Sequence, residues 1–521
     1  MIGTSFPEYA FILVSISVLR LIGPGSVVLV VCAAAGVVTP PLWLVAYATC
    51  EATFLGVYIL RRRSFNQPIA PIPPRLTRPQ RRALFERCTA QIPNDYPSGW
   101  FLPHGAEIKR DNVADWVLWA LFASTPENAS PEWRDEIDEY ISMVETSLGR
   151  KLESGRVEGV DSLRLSFDAV KMVHRPLVWY LIVSLVDMTT AIFLLLLGFK
   201  HYAPPGYLRA FPPRAFTSLV SKRGANAHFP YWYRPPRGDT PTTTPLLFLH
   251  GIGIGLHPYV PFIRELLRAD PTRAIVLIEF LPISMRMTAP MPPCSTILDS
   301  INTTLESLAI PEVVLAAHSY GTFITAHIIR ASASAAGTHP LPPEEHDPAL
   351  VLNRKIRSVV LIDPIPFLLH LPAIAYNFLY RTPGSGRANE WQLWFFASRD
   401  ADVARTLSRG FFWEDGCLWR EDLALFSDAE GRKRRVTVAL AGKDQIVPSA
   451  DVREYLAGTE GEWGPPTETC ERWVARAGAL EVLWFPGLDH ATVFETAARR
   501  RELIRVVDSG ERPVSYGSIP T

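Results

Sequence analysis

The sequence predicts an α/β fold, a mostly parallel sheet flanked by helices, carried behind an apolar N-terminus. Three observations lead there. A buried-strand pattern runs straight into a small-x-Ser-x-Gly turn and then a helix at Pro311-Glu-Val-Val-Leu-Ala-Ala-His-Ser-Tyr-Gly-Thr322. Apolar strands such as Leu246 to Leu249 alternate with helical stretches at Tyr259 to Ala269, Ile297 to Leu308 and Phe323 to Ser334, the alternation that joins parallel strands by crossover helices. From Tyr9 to Leu60 only Arg20 and Glu51 are charged.

Residues 1–63 read as a membrane-anchoring segment. Two runs, Ala10 to Val31 and Leu42 to Leu60, have the length of about 20 residues that crosses a hydrocarbon core. The stretch is far longer than the apolar part of a secretory signal. Arg20 and Glu51 fall near the middle of the two spans, at matching distances from a turn around Ala35-Gly36, where they would pair; a second reading lets Gly23-Pro24-Gly25 break the first helix. Arg61-Arg62-Arg63 favours the cytoplasmic side for the end of the hairpin, so two spans leave the rest of the chain facing the cytoplasm.

Residues 64–80 form a Pro-rich linker, and residues 81–224 a helical accessory region with apolar periodicity at Asn112 to Phe122 and Trp133 to Leu148. That region ends in a third apolar run, Pro176 to Phe199, with Asp187 at its centre. A helix packed on the following domain, or lying in the membrane face, spares Asp187 full burial in lipid; a crossing would move that domain to the lumen.

Residues 225–521 carry the chemistry. A strained strand-to-helix turn pushes one serine hydroxyl out at the top of a parallel sheet, which names Ser319 as a nucleophile. The positions two before and two after it must be small because the helix passes close to the strand. Ala317 and Gly321 meet that need, although Ala317 departs from the usual Gly. Upstream, the strand from Pro245 ends in Gly251-Ile-Gly-Ile-Gly255, a loop that frees backbone N–H groups to face a developing negative charge. A dinucleotide-binding reading of those glycines fails: the third follows the second by two residues instead of three, and the nearest acidic candidate, Glu279, is misplaced.

Downstream, the strand from Arg435 leads to a tight loop presenting Asp444, and the strand from Leu480 to a loop presenting His490. A serine hydroxyl is a poor nucleophile at neutral pH, so the chemistry needs His490 to take its proton and Asp444 to fix the imidazole tautomer. Asp363, at the end of the Ile356 strand, is the alternative acid, although Asp363-Pro364 also makes a plain turn start.

Together these residues resemble the α/β-hydrolase superfamily of serine hydrolases, over roughly Ala225 to Val507. The most specific parts are His250 to Gly255, His318 to Gly321, Gly442 to Pro448 and Gly487 to His490. The resemblance implies Ser319 as nucleophile, Asp444 as acid and His490 as base. It also implies an oxyanion hole from the backbone N–H groups of Ile252 and Tyr320, with His250 ordering the loop. With its apolar N-terminus, the whole chain looks like membrane-associated members found in fungi.

Residues 364–434, between the Asp363 and Asp444 strands, are far too many for a simple crossover and read as a lid insertion. Its aromatic residues from Phe367 to Trp419, among them Phe378, Trp391, Trp394, Phe395, Phe396, Phe411, Phe412 and Trp413, argue for an apolar acyl-binding pocket. A chain of 521 residues, 48% apolar, has material for one large catalytic domain plus these segments. The 52 basic residues balance the 52 acidic ones, so no global field would attract nucleic acid. The six cysteines show neither metal spacing nor a disulfide framework, and no metal or organic cofactor is implied.

The expected activity is cleavage of carboxylic esters by a membrane-associated serine hydrolase, with membrane lipids and an apolar acyl ester as partners. The alternatives are a transacylase on the same residues and an inactive hydrolase-fold membrane scaffold; the intact serine, acid and histidine argue against the latter. Because those residues begin at Ser319, removal of the first 63 is expected to spare the site.

Overall fold

Strands buried on both faces build the centre of the protein. The computed structural model describes residues 3–67, 76–90, 97–205, 209–237, 243–335, 347–411, 413–428, 430–476 and 478–509. Residues 68–75 of the expected linker and Phe412 lie outside the described residues.

A short ladder joins β1 (Phe101–Leu102) to β2 (Asp161–Ser162). All other described strands share one sheet: β3 (Lys200–Ala203), β4 (Lys222–Arg223), β5 (Tyr231–Arg234), β6 (Leu246–Leu249), β7 (Ile275–Ile278), β8 (Val313–His318), β9 (Ile356–Ile362), β10 (Arg435–Ala441), β11 (Gly461–Trp463), β12 (Glu471–Ala475) and β13 (Leu480–Phe485). Their order is β11-β12-β13-β10-β9-β8-β6-β7-β5-β3-β4. From β13 to β7 every pair is parallel, while β12 and β5 run antiparallel to the strands they flank. The sheet is thus mostly parallel, as expected, and it begins ahead of residue 225, because β3 and β4 come from the preceding region.

The parallel strands read as nearly unbroken apolar runs because helices cover both faces. Val313, Leu315 and Ala317 of β8 point into one core, and Val314 and Ala316 into the other. The first core takes in α9 (Cys294–Ser307) and α10 (Tyr320–Ala335), and the second α8 (Val260–Ala269) and the last helix, Ala497–Ser509. Residues 81–224 do not stand apart. Phe85 of α3 (Arg78–Thr89), Trp116 of α4 (Arg110–Phe122) and Tyr140 of α5 (Arg134–Leu148) belong to the first core with the sheet.

The N-terminal helices are α1 (Phe6–Ala34) and α2 (Leu42–Phe65), packed on each other as a hairpin. With α6 (Leu177–Leu196) they are long and apolar enough to cross a membrane. Helix α1 runs through Pro24 without ending, so the break considered at Gly23-Pro24-Gly25 is absent. Gly23 has a packing reason instead: a Cβ there would lie 3.0 Å from His174 Cε1.

The expected Arg20–Glu51 pair is also absent. Arg20 is exposed, whereas Glu51 is fully buried and accepts hydrogen bonds from the Leu177 N–H (2.8 Å) and the Tyr47 hydroxyl (3.3 Å). The free N–H groups at the start of α6 supply what a buried carboxylate needs, so a distant arginine is not required. Helix α6 packs one face on the sheet domain, as expected for a docked helix, with Ala191 and Leu194 in the second core. Asp187 turns to that side and pairs with Arg214 (2.7 Å) and Arg286 (3.1 Å).

The hairpin is fastened to the rest of the chain. Ile12 and Ile16 of α1 pack on Ala388 and Phe395 of the 364–434 segment, and Tyr58 and Phe65 of α2 pack with Val170, Met172, Ala401 and Ala404. Arg61 Nη2 lies 2.6 Å from the buried carboxylate of Asp402.

Candidate active site

The site forms where three strand ends meet. At the end of β8 the chain turns so tightly that Ser319 adopts φ 50°, in the left-handed region. Asp363 after β9 (φ 44°) and Ala491 after β13 (φ 66°) share that strain, and local strain of this kind is held in place by surrounding structure at functional sites. The turn is pinned by the Ser319 N–H to the Ile362 carbonyl (3.0 Å) and by the Thr322 N–H to the Ser319 carbonyl (2.8 Å). Gly321 is obligatory, since a Cβ there would stand 2.5 Å from the Leu249 carbonyl oxygen. Gly251 is as constrained, with a Cβ falling 2.7 Å from that of Ser319.

Ser319, His490 and Asp444 come together across 171 and 46 residues of sequence separation. Ser319 Oγ donates to His490 Nε2 (3.0 Å), and His490 Nδ1 donates to Asp444 Oδ2 (2.7 Å). The other Asp444 oxygen accepts the N–H groups of Ile446 (2.8 Å) and Val447 (2.9 Å), which fixes the carboxylate. All three residues are buried at the side chain or nearly so. Burial disfavours charge on the imidazole, but the carboxylates of Asp444, Asp363 and Asp489 outweigh it and raise the His490 pKa to about 9. Such a chain can move a proton from hydroxyl to imidazole with the developing imidazolium stabilised in place.

Asp363 takes a different position from the one considered for an alternative acid. Its oxygens accept the N–H groups of Ala441 (3.2 Å) and Ala491 (2.7 Å), the residue after His490, and Oδ2 lies 3.6 Å from His318 Nε2. It holds the loop that holds the histidine. His318 is kept neutral by burial, with its pKa down at about 4, and Tyr259 Oη lies 2.8 Å from its Nδ1. Asp363, Asp444 and His490 form a cluster compact enough to suggest a metal site. The 2.7 Å separation of Asp444 and His490 is that of a direct hydrogen bond.

Around Ser319 the Gly-rich loop is held by His250. His250 Nδ1 donates to the Gly251 carbonyl (2.8 Å), and its Nε2 accepts from the Phe280 N–H (2.9 Å), so the ring orders the loop as one neutral tautomer. Tyr320 opens α10, where N–H groups have no intrahelical acceptor. Ile252 lines the space beside Ser319.

Two cavities meet at Ser319. An inner one of about 60 Å³ is walled by Tyr320, Ile365, Leu369, Phe378, Phe411 and Trp413, and closed by Trp100, Trp119 and Leu165. An outer cleft of about 1010 Å³ holds His490 and Ser319 at its base, with Phe396 among its walls. The aromatic residues of the 364–434 segment therefore divide. Phe378, Phe411, Trp413 and Phe396 line these spaces. Phe367 and Trp419 are core, and Trp391, Trp394 and Phe395 pack against α1.

Sequence reasoning missed Trp100, Trp119 and Leu165, whose apolar spacing reads as ordinary core. It also missed Asp489, which accepts the N–H groups of His490 (2.7 Å) and Gln445 (3.0 Å) and the Asn389 amide (2.8 Å), joining both loops to the 364–434 segment. Its place beside His490 was the one available signal.

Residues 246–503 match the family model described as alpha/beta hydrolase family. This part of the chain belongs to that family. The fold is therefore an α/β-hydrolase fold, and the match supports a hydrolase. No curated protein matches the chain in sequence. Among solved structures, a bacterial membrane phospholipase A is similar over 64% of this chain and 94% of its own, with 11% identity and a TM-score of 0.37. The alpha/beta hydrolase domain-containing protein 10 from mouse covers 54% and 94% respectively, with 15% identity and a TM-score of 0.32. A structure from a study of carboxylesterases of the thaumarchaeon Nitrososphaera gargenis covers 54% and 96%, with 14% identity and a TM-score of 0.33.

Proposed function

We propose that this hydrolase is a membrane-associated serine esterase that cleaves esters of apolar acyl chains, most plainly lipid esters, through an acyl-enzyme on Ser319. The observation that carries the reading is the hydrogen-bonded chain from Asp444 through His490 to Ser319, opening onto an apolar cavity. In the first half-reaction His490 Nε2 takes the Ser319 proton as Oγ bonds to the ester carbonyl carbon. The oxyanion is held by the N–H groups of Ile252 and Tyr320. Collapse breaks the bond to the alkoxide, which leaves as the alcohol with the proton from His490. Water then attacks the acyl-enzyme, with His490 again as base, releasing the carboxylic acid and restoring Ser319.

Apolar helices at the N-terminus and at α6 support membrane association. The basic run at Arg61 to Arg63 supports a cytoplasmic side for the catalytic domain, although Arg61 is already engaged by Asp402. Labelling by a fluorophosphonate tests the chemistry, because the probe needs an activated serine beside an oxyanion hole. Wild type should label and Ser319→Ala should not; equal labelling removes Ser319 from its role.

A further inference from the structure

The outer cleft over Ser319 is walled by membrane-type helices. Phe11, Ile12, Ser15, Val18 and Leu19 of α1 line it, spaced so that they share one helix face, and Trp179 and Ile182 of α6 line it as well. Several of these residues are also exposed: Phe11 by 65%, Val18 by 54% and Ile182 by 41%, as is the neighbouring lining residue Val14 by 63%. A residue that lines a cleft and yet faces outward stands at its rim. The rim thus lies on α1 and α6, which are both long and apolar enough to span a membrane.

Resting on the function proposed above, we infer that the ester reaches Ser319 sideways from the bilayer, through a portal between α1 and α6. The substrate is accordingly a membrane-resident, chain-bearing ester. Along this path an acyl chain passes from lipid to the apolar rim, then past Ile252 toward the inner cavity, along mostly apolar walls. The alcohol portion remains in the wider outer cleft beside His490. Helix α1 is then a wall of the substrate path as well as an anchor.

Two probes separate this route from direct access by water: a long-chain alkyl fluorophosphonate held in phosphatidylcholine vesicles, and a short-chain one dissolved in buffer. Both are given to the full-length protein in the same vesicles, and the ratio of their labelling rates at Ser319 is read. Closing the rim with bulk, in the double variant Val14→Trp and Val18→Trp, should lower the ratio of vesicle-held to dissolved probe by roughly tenfold or more. Leu60→Trp, on the exposed side of α2 and away from the cleft, should leave it at the wild-type value. The milder Val18→Phe should lower the ratio in the same direction. A wild-type ratio in the rim variants overturns the portal, as does an equal fall for both probes, since those residues would then support the site without gating a bilayer route. Failure of both probes to label the wild-type serine would instead sink the hydrolase reading on which the portal rests, and failure of the vesicle-held probe alone would overturn the portal.

Discussion

Two carboxylates within reach of one histidine have separate tasks here, and substitution should tell them apart. Asp444 carries the ring hydrogen bond, so Asp444→Asn should cut kcat by about 10⁴, the scale of a lost acid in such a relay. Asp363 accepts two backbone N–H groups, and an amide at that position would turn a donor toward one of them. Asp363→Asn should therefore cost about 1–3 kcal/mol in stability, read by denaturant unfolding, with a much smaller effect on kcat. The reverse ranking would make Asp363 the acid. A pH profile reports the same electrostatics. Only neutral His490 can accept the serine proton, and its pKa is raised to about 9, so kcat/KM on a soluble ester should climb as pH rises from neutral toward that value. Asp444→Asn removes the main upward influence and should bring the limb to lower pH. A wild-type limb below about 6.5, the ordinary imidazole value, would contradict the arrangement.

At the level of elements, α4 has a part that its sequence hides. Trp119 closes the inner cavity while its indole N–H donates to Ser166 Oγ (2.9 Å). Trp119→Ala should lengthen the preferred acyl chain, because each further buried methylene adds up to about 0.8 kcal/mol of binding. A series of p-nitrophenyl esters of increasing chain length would show the shift in kcat/KM; an unmoved optimum would exclude this cavity as the acyl site. Trp394→Ala is the contrasting case. That aromatic residue packs toward α1, so its loss should leave the optimum in place.

Across the whole molecule, the hairpin and the catalytic domain behave as one body. Deleting residues 1–63 was expected to spare the site, since the reacting groups come later in the chain. In the structure that deletion strips one wall from the outer cleft, uncovers Ala388 and Phe395, and takes Arg61 from the Asp402 carboxylate. The truncated protein should accordingly melt at lower temperature and label poorly with fluorophosphonate. Unfolding and labelling equal to those of the full chain would show the hairpin to be a detachable anchor.

Sequence by itself determined the parts whose causes are local. The Ser319 turn needs small neighbours and strand-to-helix geometry within a dozen residues, the loops bearing Asp444 and His490 follow recognisable strands, and the membrane-length helices are visible from composition. Only the tertiary structure decided what depends on residues far apart in the chain. It put the Asp444 carboxylate, not that of Asp363, on the His490 ring, gave Glu51 to the start of α6 instead of Arg20, and brought Trp100, Trp119 and Leu165 to the cavity. The physical reason is common to all three. An apolar residue that packs a core and one that shapes a cavity obey the same periodicity, and a buried charge takes whichever donors the fold brings near it; neither outcome is written in the spacing along the chain.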